Sequence, residues 1–125
     1  MRAIIVDDSK ATRSILSKML TELGFDVSVA GHGLEALRQL EEGGPIDLAL
    51  VDWNMPTMNG IEFVRAVRAN AAFEKLRVMM ITTQTETADL ATALEAGADE
   101  YLMKPFTKVM VLEKLRLLGI GPEEQ

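Results

Sequence analysis

Short apolar runs alternate along the chain with longer segments in which apolar residues recur at helical spacing. The runs Ala3–Val6, Asp47–Asp52 and Arg77–Ile81 are almost continuously apolar, which is typical of strands buried on both faces of a sheet. The runs Asp26–Ala30 and Glu100–Met103 are shorter or mixed with polar residues, as edge strands tend to be. The pattern therefore predicts five strands, three inside a sheet and two at its edges.

Each predicted strand is followed by a segment with the spacing of an amphipathic helix. The first helix is expected over residues 11–23, with an inward stripe of Ile15, Leu16, Met19, Leu20 and Leu23. Glycine closes this segment and others, as it commonly does at the C-terminal ends of helices. Four more helices are predicted: one between Gly33 and Gly43, one carrying Ile61 to Val67, one over about 87–96 and one over about 107–118.

Strict alternation of strands and helices implies right-handed crossovers and a parallel sheet with helices on both faces. The most apolar strands, the first, third and fourth, belong inside, and the second and fifth belong at the edges. We therefore expect an α/β fold with a doubly wound five-stranded parallel sheet of order 2-1-3-4-5 and five helices, the flavodoxin-like order. The chain would form a single domain over residues 1–118, followed by a short C-terminal tail over 119–125.

Composition narrows the function classes. A chain of 125 residues is long enough for one domain with a full core. It has no cysteine, which excludes disulfides and thiolate chemistry, and its net charge of −6 disfavours sequence-independent binding to nucleic acid. No apolar run approaches the roughly 18 residues of a membrane span, and the N-terminus lacks a signal-peptide core. We expect a soluble cytoplasmic protein that binds neither nucleic acid nor membrane.

Polar residues stand where the predicted strands end. The first strand is followed by Asp7 and Asp8, the third ends in Asp52, the fourth is followed by Thr82 and the fifth by Lys104. In a parallel sheet these positions share one edge, and neighbouring strands are about 4.8 Å apart. Open α/β sheets bind their ligands at this edge, where the helices of adjacent strands leave on opposite faces.

The carboxylates have plain structural interpretations as well. Asp52 alone would serve as a cap for the next segment, and Asp7-Asp8 as the N-cap and first-turn charge of the first helix. The prediction, however, places acids at the ends of two adjacent strands and a lysine at the end of a third. This combination favours a functional site over chance placement. Three close carboxylates repel, so either one is protonated or a cation neutralises them. All-oxygen ligation favours Mg²⁺, with Mn²⁺ as a possible substitute.

The lysine and the threonine indicate a phosphoryl chemistry. A carboxylate beside a divalent cation and an ammonium group can attack an electrophilic phosphorus and become an aspartyl phosphate. The cation and Lys104 would stabilise the charge on the phosphoryl oxygens, and the hydroxyl of Thr82 would donate to one of them. Without the other site residues, Thr82 would be interpreted as an ordinary β-branched strand residue.

Taken together, the motifs resemble the receiver domain of bacterial two-component response regulators over essentially the whole chain, and its chemotaxis members in particular. The residues that carry the resemblance are Asp7-Asp8, Asp52-Trp53-Asn54-Met55-Pro56, Met58-Asn59-Gly60, Thr82 and Lys104-Pro105-Phe106.

The resemblance implies roles for the residues at the predicted sheet edge. Asp52 matches the phosphoacceptor, and Asp7 and Asp8 match the acid pair that holds Mg²⁺, with the backbone carbonyl of Asn54 as a further ligand. Lys104 matches the lysine that contacts the phosphoryl group. These roles are implied by the family and not by the spacing of the residues alone.

The resemblance also implies a switch. Thr82 and Tyr101 match a pair in which the threonine moves toward the phosphoryl group and the aromatic ring turns inward, remodelling the surface of the fourth helix, fifth strand and fifth helix. The Lys104–Pro105 bond is expected to be cis. From the residues alone, Tyr101 is an ordinary edge-strand aromatic and Pro105 an ordinary strand stop.

Three residues are expected to modulate dephosphorylation. Asn54 stands where aspartate-nucleophile phosphatases of the haloacid-dehalogenase type have a second aspartate, and an amide cannot take a proton from the attacking water. Thr83 and Gln84 replace the small residue and the glutamate of the best-known chemotaxis pattern. A bulkier Thr83 would narrow access to the site, and the sequence predicts altered autodephosphorylation without fixing its direction.

Surface features point to partners. Val109, Met110 and Leu112 extend beyond the core face of the last helix, which indicates either a partner site or an ordinary apolar helix. Arg13 and Lys108 are interpreted as solvated charges. With no DNA-binding domain attached, output is expected through protein contacts on the face of the fourth helix, fifth strand and fifth helix, by a monomer or weak dimer.

The expected phosphodonor is a histidine kinase, and the expected target is a flagellar motor switch protein. The alternatives are a phosphorelay shuttle or phosphate sink that passes the group to a histidine phosphotransfer domain, a Mg²⁺-dependent phosphohydrolase, and a degenerate scaffold. The sequence does not distinguish motor control from the relay or sink role.

Overall fold

The computed structural model describes residues 1–83 and 87–121, and of residues 87–89 the backbone only. Within these residues a parallel five-stranded sheet has the order β2-β1-β3-β4-β5, which confirms the predicted architecture. The strands are β1 Arg2–Val6, β2 Asp26–Ala30, β3 Leu48–Asp52, β4 Arg77–Thr82 and β5 Glu100–Met103. The helices are α1 Lys10–Glu22, α2 Gly33–Glu42, α3 Gly60–Arg68, α4 Thr87–Ala96 and α5 Lys108–Leu117, with a 3-10 helix at Ala71–Phe73.

The described α-helices are 9 to 13 residues long. None of those in the described part of the chain has both the length and the apolar character that crossing a bilayer requires.

The sheet separates two hydrophobic clusters, because alternate residues of each strand face opposite sides. Ile4 and Val6 of β1 belong to the cluster that α2 and α3 cover, whereas Ile5 packs with residues of α1 and α5. Helices thus lie on both faces, as the alternation predicted. One inward assignment was wrong: Ile15 is 51% exposed, because α1 buries only Leu16 and Leu20 completely.

The helix caps exclude two simpler interpretations of the acidic residues. Ser9 caps α1, its Oγ accepting a hydrogen bond from the backbone N–H of Thr12 at 3.2 Å. Asn59 caps α3 in a reciprocal capping box with Glu62. The hypotheses that Asp7-Asp8 or Asp52 serves as a helix cap are therefore wrong, and these carboxylates are available for other interactions.

Arg68 ties four segments together at the end of the sheet opposite these carboxylates. Its guanidinium donates hydrogen bonds to the carbonyl oxygens of Phe73 and Leu76 at 2.9 and 2.7 Å, and its Nε donates to that of Gly97 at 2.9 Å. It also forms an ion pair with Asp99 at 2.8 Å. The carboxylate of Asp99 in turn accepts a hydrogen bond from the backbone N–H of Val78 in β4. The end of α3, the 3-10 helix and the turn before β5 are thereby fixed to the sheet.

The last helix carries more apolar residues than its core face buries. Val111 and Leu115 are buried, and Val109 is 64% exposed. The other two residues assigned to the surface excess are not fully exposed, since Leu112 is half-buried and Met110 packs against the core. Leu117, which the sequence did not single out, is 73% exposed.

Candidate functional site

Strand register brings the acidic residues to one edge of the sheet. Val6 of β1 pairs with Val51 of β3, so that Asp7 follows β1 at the level where Asp52 ends β3. Asp7 and Asp52 are buried and Asp8 is exposed. One carboxylate oxygen from each of the three lies within 4.8 Å of the others. The three predicted acids therefore do form one cluster.

Lys104 brings a positive charge into this cluster from β5. Its Nζ lies 3.2 Å from Oδ1 of Asp52 and 3.8 Å from Oδ2 of Asp7. The backbone N–H of Lys104 donates to the carbonyl of Thr82 at 2.8 Å, which holds the start of the following turn against the end of β4. The Lys104–Pro105 peptide bond is cis, as the resemblance implied.

The two carboxylate oxygens of Asp7 have different environments. Oδ1 accepts a hydrogen bond from the backbone N–H of Ser9 at 2.8 Å. Oδ2 is buried, and it is the one buried side-chain oxygen or nitrogen within the described residues that has no hydrogen-bond partner. A buried oxygen without a donor carries a desolvation cost of about 1–3 kcal/mol. A cation in the cluster would remove this cost.

Arg13 belongs to the site, contrary to its interpretation as a solvated charge. Its Nη1 donates to the backbone carbonyl of Asp7 at 2.7 Å. Burial raises the pKa of the Asp7 carboxyl, and the charge of Arg13 partly opposes that rise. The sequence signal was its position in the first turns of α1, six residues after Asp7. That signal is weak, because the group that Arg13 contacts is a backbone atom present in every residue.

Burial dominates the electrostatics of both buried acids. Loss of solvation raises the pKa of Asp52 above its ordinary value of 3.8, and the nearby charge of Asp7 raises it further, while Lys104 opposes both. The pKa of Asp7 is also raised by burial, against the lowering effects of the Ser9 N–H, Lys104 and Arg13. The cluster therefore holds an excess of negative charge that one lysine does not fully neutralise.

The donor set fits a small hard cation. The cluster offers carboxylate oxygens only, one of them buried without a hydrogen bond, and Asp8 is exposed to solvent. Oxygen ligands with room for water are the usual environment of Mg²⁺ in proteins. Asn54, whose carbonyl the resemblance assigned to the same ion, is exposed in the loop after β3.

The residues at the end of β4 differ in their exposure. Thr82 is buried and directly follows Ile81, the register partner of Asp52 on the neighbouring strand. Thr83 is exposed beyond the end of the strand. Gln84, the third predicted modulator of dephosphorylation, lies outside the described residues.

Tyr101 is not part of the acid cluster. It lies in β5 opposite Met80 of β4, half-buried against the hydrophobic cluster that α2 and α3 cover. Lys104 is three positions further along the chain, which along a strand corresponds to about 10 Å. Tyr101 is therefore displaced along β5 from the lysine that contacts the acids.

A close approach of backbone segments fixes the loop that follows Asp52. Gly60 donates its backbone N–H to the carbonyl of Trp53 at 3.0 Å, and a β-carbon at Gly60 would lie 2.6 Å from the carbonyl oxygen of Asp52 and 2.6 Å from Cε of Met80. Only glycine fits at this point without displacing the end of β3.

Comparison with known protein families gives one match that covers most of the chain. The family described as the response regulator receiver domain matches residues 3–116. This range includes the acid cluster, Thr82, Tyr101 and Lys104.

Curated and solved proteins agree with that match. The chain is 43% identical to a chemotaxis protein CheY homolog of Campylobacter jejuni over 126 aligned positions, covering 99% of this chain and 97% of that protein. It is 40% identical to chemotaxis protein CheY1 of Helicobacter pylori, covering 94% and 96%. The structure of Vibrio cholerae CheY4 superimposes with a TM-score of 0.88 at 33% identity, covering 94% and 97%.

Proposed function

Because the chain belongs to the response regulator receiver domain family, we propose that it is a Mg²⁺-dependent phosphorylation switch of the chemotaxis type. Receiver domains of this kind act as signalling switches, with a histidine kinase as donor and a downstream target. Our proposal adds the residues: Asp52 accepts the phosphoryl group, Lys104 and Thr82 stabilise it, and Asp7, Asp8 and the Asn54 carbonyl complete the metal site with Asp52.

The proposed reaction uses Asp52 as the nucleophile. A carboxylate oxygen of Asp52 attacks the phosphorus of a phosphohistidine, the new O–P bond forms as the P–N bond breaks, and the imidazole leaves with the electron pair of that bond. The ammonium of Lys104, 3.2 Å from Oδ1, donates to an oxygen of the arriving phosphoryl group. The hydroxyl of Thr82, buried at the end of the neighbouring strand, donates to another.

Bound Mg²⁺ would neutralise the carboxylates and the phosphoryl oxygens, which lowers the repulsion between an anionic nucleophile and an anionic donor. The residues that would hold it are Asp7, Asp8 and Asp52, with the backbone carbonyl of Asn54. Oδ2 of Asp7, buried without a hydrogen bond, is the atom that most clearly needs such a partner.

One observation carries the proposal: a buried carboxylate of β3 contacts a lysine of the β5 end while two further carboxylates lie within 4.8 Å. A structural ion pair would need only the lysine and one acid. A structural role alone does not explain why two more acids, one of them buried, lie beside that pair at the edge where α/β folds bind ligands.

Slow loss of the phosphoryl group is part of the proposal. Asn54 cannot act as a general base toward water, which argues against a phosphohydrolase with rapid turnover. Thr83 is exposed beside the site, and Thr83→Ala is expected to change the rate of autodephosphorylation by opening access for water. Equal rates for the two proteins, measured with radiolabelled phosphoprotein, would end the access hypothesis.

We propose that the output surface is the face formed by α4, β5 and α5, in the cytoplasm, where a flagellar motor switch protein would be the target. Leu94 of α4 and Val109 of α5 are both at least half exposed, which supports a binding role. A phosphorelay or sink role predicts a different partner. Binding of the phosphorylated protein to a motor-switch peptide or to a histidine phosphotransfer domain distinguishes the two.

The only tryptophan of the chain, Trp53, directly follows the proposed acceptor and reports on the site. We expect its fluorescence to change when Mg²⁺ is added, and again when beryllofluoride, a phosphoryl mimic, is added with Mg²⁺ present. Asp52→Asn is the control, because an amide retains the shape of the side chain without its charge. A mutant that gives the same second change would remove the support for Asp52 as the acceptor.

A further inference from the structure

A lysine of α5 stands over the ring of the only tyrosine. Nζ of Lys114 lies 4.2 Å from the ring centroid of Tyr101, within the range of a cation–π interaction. The same nitrogen donates to Oε1 of Glu100 at 3.0 Å. Lys114 is therefore held by two neighbours that are adjacent in sequence and lie on β5.

Glu100 contacts both of the other residues in this group. Its Oε1 also accepts a hydrogen bond from the backbone N–H of Tyr101 at 3.0 Å, so that one oxygen joins the Tyr101 backbone to the Lys114 ammonium. We call Glu100, Tyr101 and Lys114 the Tyr101 brace. In the brace the carboxylate contacts the lysine, and the lysine contacts the ring.

The brace is more shielded from solvent than another ion pair made by the same helix. The side chains of Lys114 and Glu100 are 24% and 18% exposed, whereas those of Lys108 and Glu22, which pair at 3.1 Å, are 46% and 47% exposed. Exposed ion pairs contribute little because water and salt screen them, and partial burial reduces that screening. Lys108 thus provides a matched comparison on the same helix, with no cation–π contact among the described residues.

We propose that Lys114 and Glu100 are positioning residues that hold the ring of Tyr101 in its observed half-buried orientation. Any movement of the ring out of this orientation must break the cation–π contact. Removing the ammonium or its carboxylate shifts the ratio of other ring orientations to the observed one by about two- to fivefold. The consequence for signalling rests on the proposed role of Tyr101 as a switch residue, but the holding of the ring does not.

A fluorine label tests the brace directly, because the chain has a single tyrosine. Protein made with 3-fluorotyrosine gives a ¹⁹F signal from Tyr101 alone. The solvent exposure of the ring is measured from the relaxation that a neutral, soluble paramagnetic agent adds to this signal. Lys114→Met keeps a side chain of similar length without the charge, and Lys108→Met makes the same change elsewhere on α5.

The expected result is a larger added relaxation in Lys114→Met and in Glu100→Gln, and none in Lys108→Met. Lys114→Arg retains a cation and should restore a value close to that of the unchanged protein. The Glu100→Gln variant is informative because it leaves the lysine stem in place. Equal relaxation in the unchanged protein, Lys114→Met and Glu100→Gln would overturn the proposal, as would an equal increase in Lys108→Met.

A second measurement separates this inference from the proposed function. The beryllofluoride concentration that gives half of the Trp53 fluorescence change should differ about two- to fivefold between the unchanged protein and Lys114→Met, and not in Lys108→Met. If the unchanged protein gives no Trp53 response, the phosphorylation switch fails, while the ring measurement still decides the brace. If Trp53 responds but relaxation is equal in all variants, the brace fails alone.

Discussion

The ammonium of Lys104 lies 3.2 Å from Oδ1 of Asp52, and β4 runs between the strands that carry them. The lysine therefore reaches across a whole strand to a carboxylate 52 residues away in sequence. This placement leaves the ammonium beside the oxygens of any group that becomes bound to Asp52. We therefore propose that Lys104 both balances the charge of Asp52 and assists phosphoryl transfer to it.

Loss of the Lys104 ammonium should slow phosphorylation. We predict that Lys104→Met lowers the rate of phosphorylation by acetyl phosphate about 100-fold, the usual scale for removing one group that stabilises transition-state charge. Lys104→Arg, which keeps the charge with a different shape, should retain part of the rate. The rate is measured by stopped-flow Trp53 fluorescence. A Lys104→Met protein as fast as the unchanged one would exclude the proposed role.

The raised pKa values of Asp52 and Asp7 predict an unusual pH dependence of stability. Because burial raises both values above 3.8, the folded chain binds more protons than the unfolded chain between that value and the raised ones. The free energy of unfolding contributed by these acids therefore falls as the pH rises through that interval. Both ionised groups destabilise the folded protein at neutral pH when no cation is bound.

Asp52→Asn should consequently stabilise the protein at pH 7 in the presence of a chelator. We expect a rise in Tm of about 2–6 °C, corresponding to about 1 kcal/mol, shrinking as the pH approaches 4. Asp26→Asn, at an exposed carboxylate on β2, is the matched control and should have little effect. The Tm values of the two variants and the unchanged protein are measured across this pH range by circular dichroism. A rise in Tm of Asp52→Asn that becomes larger as the pH falls would contradict the prediction.

The close approach of Gly60 to the backbone of Asp52 should make both stability and phosphorylation depend on this glycine. A β-carbon there would press on the carbonyl oxygen of Asp52, so Gly60→Ala should shift the end of β3 and cost about 1–3 kcal/mol of stability. Phosphorylation should fall as well, because Asp52 moves. Gly31→Ala is the control, since its added β-carbon comes no closer than 3.7 Å to a neighbour in the described structure. Equal unfolding free energies of the two variants would refute the steric explanation.

Arg68 should matter for stability and not for chemistry. Arg68→Lys keeps the charge but loses the planar fork that reaches several carbonyl oxygens, and we expect a loss of about 2–4 kcal/mol. Arg65→Lys, on an exposed position of the same helix, should be close to neutral. Chemical denaturation measures both. The contradicting result is an Arg68→Lys protein as stable as the Arg65→Lys protein.

The fold and the acid cluster were predictable because both depend on strand order. Continuous apolar runs identify interior strands, and in a parallel sheet the residues that end those runs share one edge, so Asp52 and Lys104 could be brought together from sequence. The width of a helix's buried face is less predictable. Ile15 matched the apolar stripe of α1, yet the sheet covers only a narrow part of that helix.

The sequence did not predict the contacts of some charged residues. Their partners are either distant in sequence or are backbone atoms. Arg13 donates to a main-chain carbonyl, which no pattern marks. Glu100 and Lys114 lie 14 residues apart on different elements, and only the packing of α5 beside β5 brings them together around Tyr101. The sequence therefore indicated the groups that we propose to react, but not the residues that we propose to position them.

The central claim is that Asp52 accepts a phosphoryl group in a reaction that needs Mg²⁺. Intact-mass measurement after incubation with acetyl phosphate, with Mg²⁺ or with a chelator, tests it most directly. We predict a gain of one phosphoryl group with Mg²⁺, no gain with the chelator, and no gain in Asp52→Asn. An unchanged mass in the native protein, or the same gain in Asp52→Asn, would contradict the claim.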